Sequence, residues 1–144
     1  MENCAKMNRA DSRRHLKIGK KAAENAKLVQ TVSTFSVEPA LFSKILSAGL
    51  QQHQAGHLPE AERSYKQVLQ ADPDQPVALH YLGIIASQRG DLDLAVNLMT
   101  KSVTAEPNYD QAHYNLGNAL RDLKMLEEAI TSYHNAIAIS PQAV

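Results

Sequence analysis

Two histidines stand four residues apart, at His53 and His57. On a helix that spacing places both imidazoles on one face, which is half of a zinc site. No cysteine lies beside them, and the Glu-x-x-His context of a zinc protease is missing. His53 falls toward a helix end and His57 in the turn that follows, so both are expected as surface histidines and no metal is expected. The rest of the chain is equally poor in reactive chemistry. It has 144 residues, six histidines and one cysteine, Cys4, with no nucleophile elbow and no phosphate-cradling glycine loop. Neither catalysis nor a cofactor is therefore expected of these residues. Side chains suited to binding are present. His80, Tyr81 and Ile84 form one group, and Gln111, Tyr114, Asn115, Asn118 and Arg121 another. Aromatic rings and Arg are typical anchors of a protein interface, and amides can bond a peptide backbone of any sequence.

Both groups need elements that hold them on one surface. The stretch HYLGIIAS (80–87) has apolar residues Leu79, Leu82, Ile85 and Ala86 at helical spacing, yet Gly83 interrupts it. A glycine inside a helix costs about 1 kcal/mol relative to alanine, so it needs a packing reason. Self-comparison supplies one. A shift of 34 residues links Gly49, Gly83 and Gly117. The same shift links Ala61, Ala95 and Ala129, and again Pro73, Pro107 and Pro141. Looser columns agree, among them Tyr65, Met99 and Tyr133. Each period reads helix, turn, helix. Gly56 and Gly90 fit the left-handed residue that ends a helix, Asp91 fits the cap of the next one, and Pro107 stops that one in turn. The third copy has Lys124-Met125 at its turn, and without a glycine it is expected to close less sharply. Paired helices approach closely only where contact residues are small. The glycine and alanine columns are therefore structural positions, and the aromatic column is packing.

The 34-residue period, with Leu-Gly at 82–83 and 116–117, Ala-Gly at 48–49 and the alanine and proline columns, resembles the tetratricopeptide repeat. The resemblance covers residues 42–143, as repeats of about 42–75, 76–109 and 110–143. It implies an all-α fold, an α-solenoid of three helix-turn-helix repeats wound as a right-handed superhelix. A concave groove would be lined by the first helix of each repeat, holding His80, Tyr81, Ile84, Gln111, Tyr114, Asn115, Asn118 and Arg121. Residues 1–36 would be a tail and linker, and 37–144 the repeat domain. The implied function is a non-catalytic scaffold that binds an extended peptide or helix of a protein partner. The chaperone-binding subtype carries a Lys/Asn/Arg clamp. Its columns here hold Leu46, Leu50, Tyr81, Gln111 and Asn115, so that subtype is rejected. AHYNLGNAL (112–120) is similar to the repeat arrays ahead of O-linked N-acetylglucosamine transferases, where groove asparagines bind the substrate backbone. The opening MNRADSRRH is also similar to the start of some bacterial chains of that kind. The alternative function is therefore a substrate-recruiting segment of a longer transferase.

Charge divides the chain. Residues 1–28 carry eight basic and three acidic groups, a net of +5, which leaves −5 on the remainder. Composition favours a solvated, disordered tail. It lacks interleaved aromatics, so contact with nucleic acid or an anionic membrane is not favoured. One cysteine permits no internal disulfide, no apolar leader follows the basic start, and no run reaches 18 apolar residues. A cytoplasmic protein is expected. The last helix, with Ala136, Ile137, Ala138 and Ile139, has nothing after it to cover it. Solenoid ends normally present a polar face, so self-association or further repeats are expected there.

Overall fold

The computed structural model describes residues 38–142. The expectations for the basic tail and Cys4 lie outside those residues. Among the described residues there are six helices and no strand. They are α1 (Pro39–Gln54), α2 (Leu58–Ala71), α3 (Pro76–Gln88), α4 (Leu92–Ala105), α5 (Asp110–Asp122) and α6 (Leu126–Ile139). They pack as three antiparallel pairs, and each pair stacks on the next. The chain is an α-solenoid.

Helix ends follow local chemistry. Proline occupies the first turn of α1, α2 and α3, where its missing N–H is no loss. The Gln75 side chain accepts a bond from the Ala78 N–H at 2.7 Å, and Asp91 accepts one from Leu94 N–H at 3.2 Å. The second helices stop at Asp72, Glu106 and Ser140, each just before a proline, the first two in extended backbone.

The first helices stop in another way. Gly56 and Gly90 take φ of +79° and +82°. The next N–H then reaches back five residues, from His57 to the Gln52 carbonyl at 2.8 Å and from Asp91 to Ala86 at 3.0 Å. This is a Schellman stop. The third turn corrects the expectation of looser closure. Lys124 itself adopts φ 67°, and Met125 N–H bonds the Leu120 carbonyl at 2.9 Å. The turn is as tight as the other two, because the repeat packing holds a lysine in a conformation that disfavours a Cβ. That conformation costs about 1 kcal/mol for a non-glycine residue. Lys124→Gly is expected to raise stability by roughly 0.5–1 kcal/mol in urea unfolding. A loss of stability would show that the lysine side chain supports the turn.

The glycine column is where paired helices meet. A Cβ on Gly83 would lie 2.7 Å from Met99 Cγ and 3.3 Å from the Ala95 carbonyl oxygen. At Gly49 it would meet Tyr65 Cε1 at 2.8 Å, and at Gly117 Tyr133 Cε1 at 2.6 Å. Ala61, Ala95 and Ala129 are buried on the facing helices. The large column, Tyr65, Met99 and Tyr133, therefore lies against the glycine column, and the two are paired by size.

The core sits between repeats. One cluster joins Ala61, Tyr65 and Val68 to Ala78, Leu82 and Ile85. A second joins Ala95 and Met99 to Leu116, Ala119 and Leu120. No single pair buries its own face, as expected for stacked units. Across the first junction, Glu62 on α2 bonds Lys66 on its own helix at 2.7 Å and Arg89 beyond α3 at 2.5 Å. The hydrogen bonds from Arg89 and Lys66 hold the Glu62 carboxyl down to about 2.

The last helix differs in detail from expectation. Ala136 is buried and Ile139 half-buried, because α5 covers that side of α6. The bare large residues are Ile137, Ile130 and Leu126, and Ala138 is exposed beside Ile137 as expected. Their counterparts one repeat earlier, Val103, Val96 and Leu92, are half-buried, and Val96 and Val103 pack in the cluster with α5. The two ends of the stack are unlike. On α1 the positions matching buried Ala78 and Ile85 are Lys44 and Gln51, both exposed and polar.

Candidate functional site

The first helices α3 and α5 touch one another, so their inner faces form one surface. Their helical spacing aims Tyr81 and Ile84, and Gln111, Tyr114 and Asn115, toward it. These five line a cleft of about 390 Å³ together with His80, Asp110 and Ala136. A second cleft, also about 390 Å³, is lined by Tyr114, Asn118, Arg121, Tyr133 and Ile137. Tyr114 is 44% exposed and belongs to both. The eight residues marked in the sequence thus fall into two adjoining clefts.

His80 is corrected by the structure. It was expected on the open groove face, but it is only 1% exposed. Its Nδ1 lies 2.8 Å from the Tyr109 hydroxyl and its Nε2 2.8 Å from Asn115 Nδ2. The amide nitrogen can only donate, so Nε2 accepts and the proton resides on Nδ1, pointing to Tyr109. Burial, with His53 nearby, lowers the His80 pKa to about 4. The ring is neutral at physiological pH and works as a fixed spacer between repeats. Burial likewise raises Tyr109, to about 12. Asn115 is consequently partly committed: one N–H is held by His80, and its carbonyl oxygen and second N–H remain for a ligand.

His53 also departs from expectation. It is half-buried, not a surface group, and burial lowers its pKa. Its ring lies 5.1 Å from Tyr81, edge on, and Tyr81 stacks on Tyr65 at 5.6 Å with 22° between planes. His57 is exposed. Among the described residues no group of three His, Cys, Asp or Glu side chains is placed to hold a metal.

Asn118 and Arg121 are partnered as well. Asn118 Oδ1 accepts from the Tyr133 hydroxyl at 2.8 Å. Arg121 donates twice to Asp122 Oδ1, at 3.0 and 2.9 Å. Tyr65 occupies the same column as Tyr133, but opposite it the Asn118 position holds Leu50. The Tyr65 hydroxyl is buried without a partner. Tyr65→Phe is therefore expected to leave stability unchanged or raise it by about 1 kcal/mol, whereas Tyr133→Phe should lower it by about 1 kcal/mol. Urea unfolding of the two variants checks this, and equal effects would discard the contrast.

Sequence reading missed Tyr109, Asp110, Tyr133, Ala136 and Ile137 as cleft or relay residues. Tyr133 was assigned to packing, which it also does. Asp110 opens α5, so the helical face that carries Tyr114 carries it too, and that register was readable. Tyr109 precedes the helix, and no periodic signal marks it.

The fold and the two clefts define a class: a helical-repeat scaffold with a ligand-sized inner face and no catalytic constellation among its described residues. Two family models described as tetratricopeptide repeat match residues 47–110 and 110–142. The chain belongs to the tetratricopeptide repeat family, whose stacked repeats serve protein interaction. Among solved structures, a variant of the O-GlcNAc transferase of Thermobaculum terrenum is similar at 33% identity and TM-score 0.71, over 75% of this chain and 21% of that one. The chain thus spans about a fifth of the transferase it matches. The first TPR of Spaghetti (RPAP3), bound to an HSP90 peptide, has 22% identity and TM-score 0.68, over 75% of this chain and 86% of that one. MamA has 21% identity and TM-score 0.64, over 87% and 73%. The last two likenesses are of fold.

Proposed function

We propose that the repeats bind an extended peptide or a helix of a protein partner along the inner face. The supporting observation is the pair of clefts joined at Tyr114, with rings and amides in the first. Apolar walls with a few polar groups suit a peptide whose side chains enter pockets while its backbone meets amides. Cytoplasmic residence is part of this reading. In the described residues no helix is long and apolar enough to cross a membrane.

Tyr114 is the residue to test. Tyr81 and Asn115 also line the cleft, but Tyr81 stacks on Tyr65 and Asn115 holds His80, so their removal would disturb the fold. Tyr114→Ala is expected to weaken binding of a captured partner about tenfold or more, with helicity by circular dichroism unchanged. Unaltered affinity would remove the inner face from the interaction. The bare Leu126, Ile130 and Ile137 on α6 add a second contact, for further repeats or another copy. Sedimentation velocity showing a monomer at all concentrations would leave only further repeats.

A second reading rests on the 33% identity to the transferase. In it these repeats recruit substrate for a glycosyltransferase whose catalytic part lies elsewhere in a longer chain. The open reading frame that follows Val144 decides it: a catalytic domain there supports the reading, and a stop codon ends it.

A further inference from the structure

The first cleft has a definite polarity. Asp110 is its only charged lining residue. No salt bridge among the described residues engages that carboxylate. Arg121 lines the other cleft and is bonded twice to Asp122. Two amides, Gln111 and Asn115, line it as well, and His80 fixes the direction of Asn115. Because Nε2 of the neutral imidazole accepts one N–H of the amide, the Asn115 carbonyl oxygen and its second N–H are left for a ligand. The only charge of the cleft is therefore negative, and the two amides add carbonyl acceptors beside their neutral N–H donors. Around them stand the apolar Ile84 and the rings of Tyr81 and Tyr114.

We infer that this cleft takes the side chain of a lysine or arginine from the bound peptide. The inference rests on the inner face being a peptide groove. The aliphatic stem of such a residue suits Ile84, and the cationic head suits tyrosine faces and donates to Asp110 and Asn115. An acidic side chain would meet the Asp110 carboxylate and only neutral donors, the Gln111 amide and the tyrosine hydroxyls, with no cation in the cleft to offset the repulsion. A neutral apolar residue would leave Asp110 desolvated and unpaired, which is unfavourable. The cleft volume of about 390 Å³ accommodates a long side chain together with its flanking backbone.

The test is selection from a random-sequence nonapeptide pool on the immobilised 144-residue chain at low ionic strength, with the retained peptides sequenced by mass spectrometry. An Asp110→Asn chain, checked by circular dichroism, is run beside it. The basic tail is common to both chains, so it cancels. Lysine and arginine are expected to be enriched about fivefold or more by the unaltered chain relative to the Asn-bearing one. The enrichment should shrink as salt is raised. Retention of peptides with equal basic content by both chains overturns the inference and leaves the peptide groove standing. Retention no greater than on bare resin overturns the groove reading and this inference together.

Discussion

Gly83→Leu is expected to lower the melting temperature by about 10–20 °C. The reason is room. The added Cβ alone would stand 2.7 Å from Met99 Cγ, and Met99 is itself fully buried. Ala95 offers its backbone oxygen at 3.3 Å, and backbone cannot step aside as a side-chain tip can. Overpacking of this kind costs about 3 kcal/mol. In a domain of about 100 residues that corresponds to the shift given. Gly83→Ala is the informative companion. It gains about 1 kcal/mol of helix propensity, but its Cβ meets the same buried Met99 Cγ at 2.7 Å, so a smaller net loss than for Gly83→Leu is expected. Gly83→Leu combined with Met99→Ala should recover part of the loss, because the large and small partners are exchanged across the same contact. Differential scanning calorimetry of the three variants checks the pattern. An unchanged melting temperature for Gly83→Leu would mean that the helix faces a different way.

The second large effect is in pH. His80 has an ordinary value near 6.5 when unfolded and about 4 when folded. Between those values the unfolded chain binds a proton that the folded chain refuses. Stability therefore falls as pH drops below about 6.5, and the loss is complete near 4. For His80 alone the loss from pH 7 to pH 5 is about 2 kcal/mol. His53 is lowered too and adds in the same direction. Glu62, held down by Arg89 and Lys66, acts only below about 4.5, so it does not enter this window. His80→Gln keeps a donor and an acceptor between Tyr109 and Asn115 but does not titrate. Urea unfolding at pH 5, 6 and 7 should give a shallower slope for this variant, by the amount stated. Equal slopes would show that folding does not lower the His80 pKa.

The Gly83 contact is written in the sequence, whereas the burial of His80 is not. The Gly83 contact follows from the 34-residue period. A column of glycines can recur only where something comes equally close in every repeat, and the large column of Tyr65, Met99 and Tyr133 shares that period. The Schellman stops at Gly56 and Gly90 and the prolines after each second helix are likewise local. They depend on residues within one turn of each other. Lys124 shows where local reading fails: repeat packing imposes the left-handed turn on a residue that does not prefer it.

The inner face was legible as a set of residues but not as a site. Period and helical spacing chose the face and thereby named Tyr81, Ile84, Gln111, Tyr114 and Asn115. They could not tell that His80 is sealed beneath that face. Its partners are Tyr109, 29 residues away at the end of the same repeat, and Asn115, 35 residues away on the next one. Nor could they tell that Arg121 is bonded to Asp122 while Asp110 is left open to the cleft. Amphipathic periodicity is a property of one helix and is written in neighbouring residues. Exposure, protonation and hydrogen-bond direction depend on what the next repeat brings against that helix. The sequence alone determined three stacked helix pairs with a small-residue seam. Only the tertiary structure decided which inner side chains remain free to meet a partner.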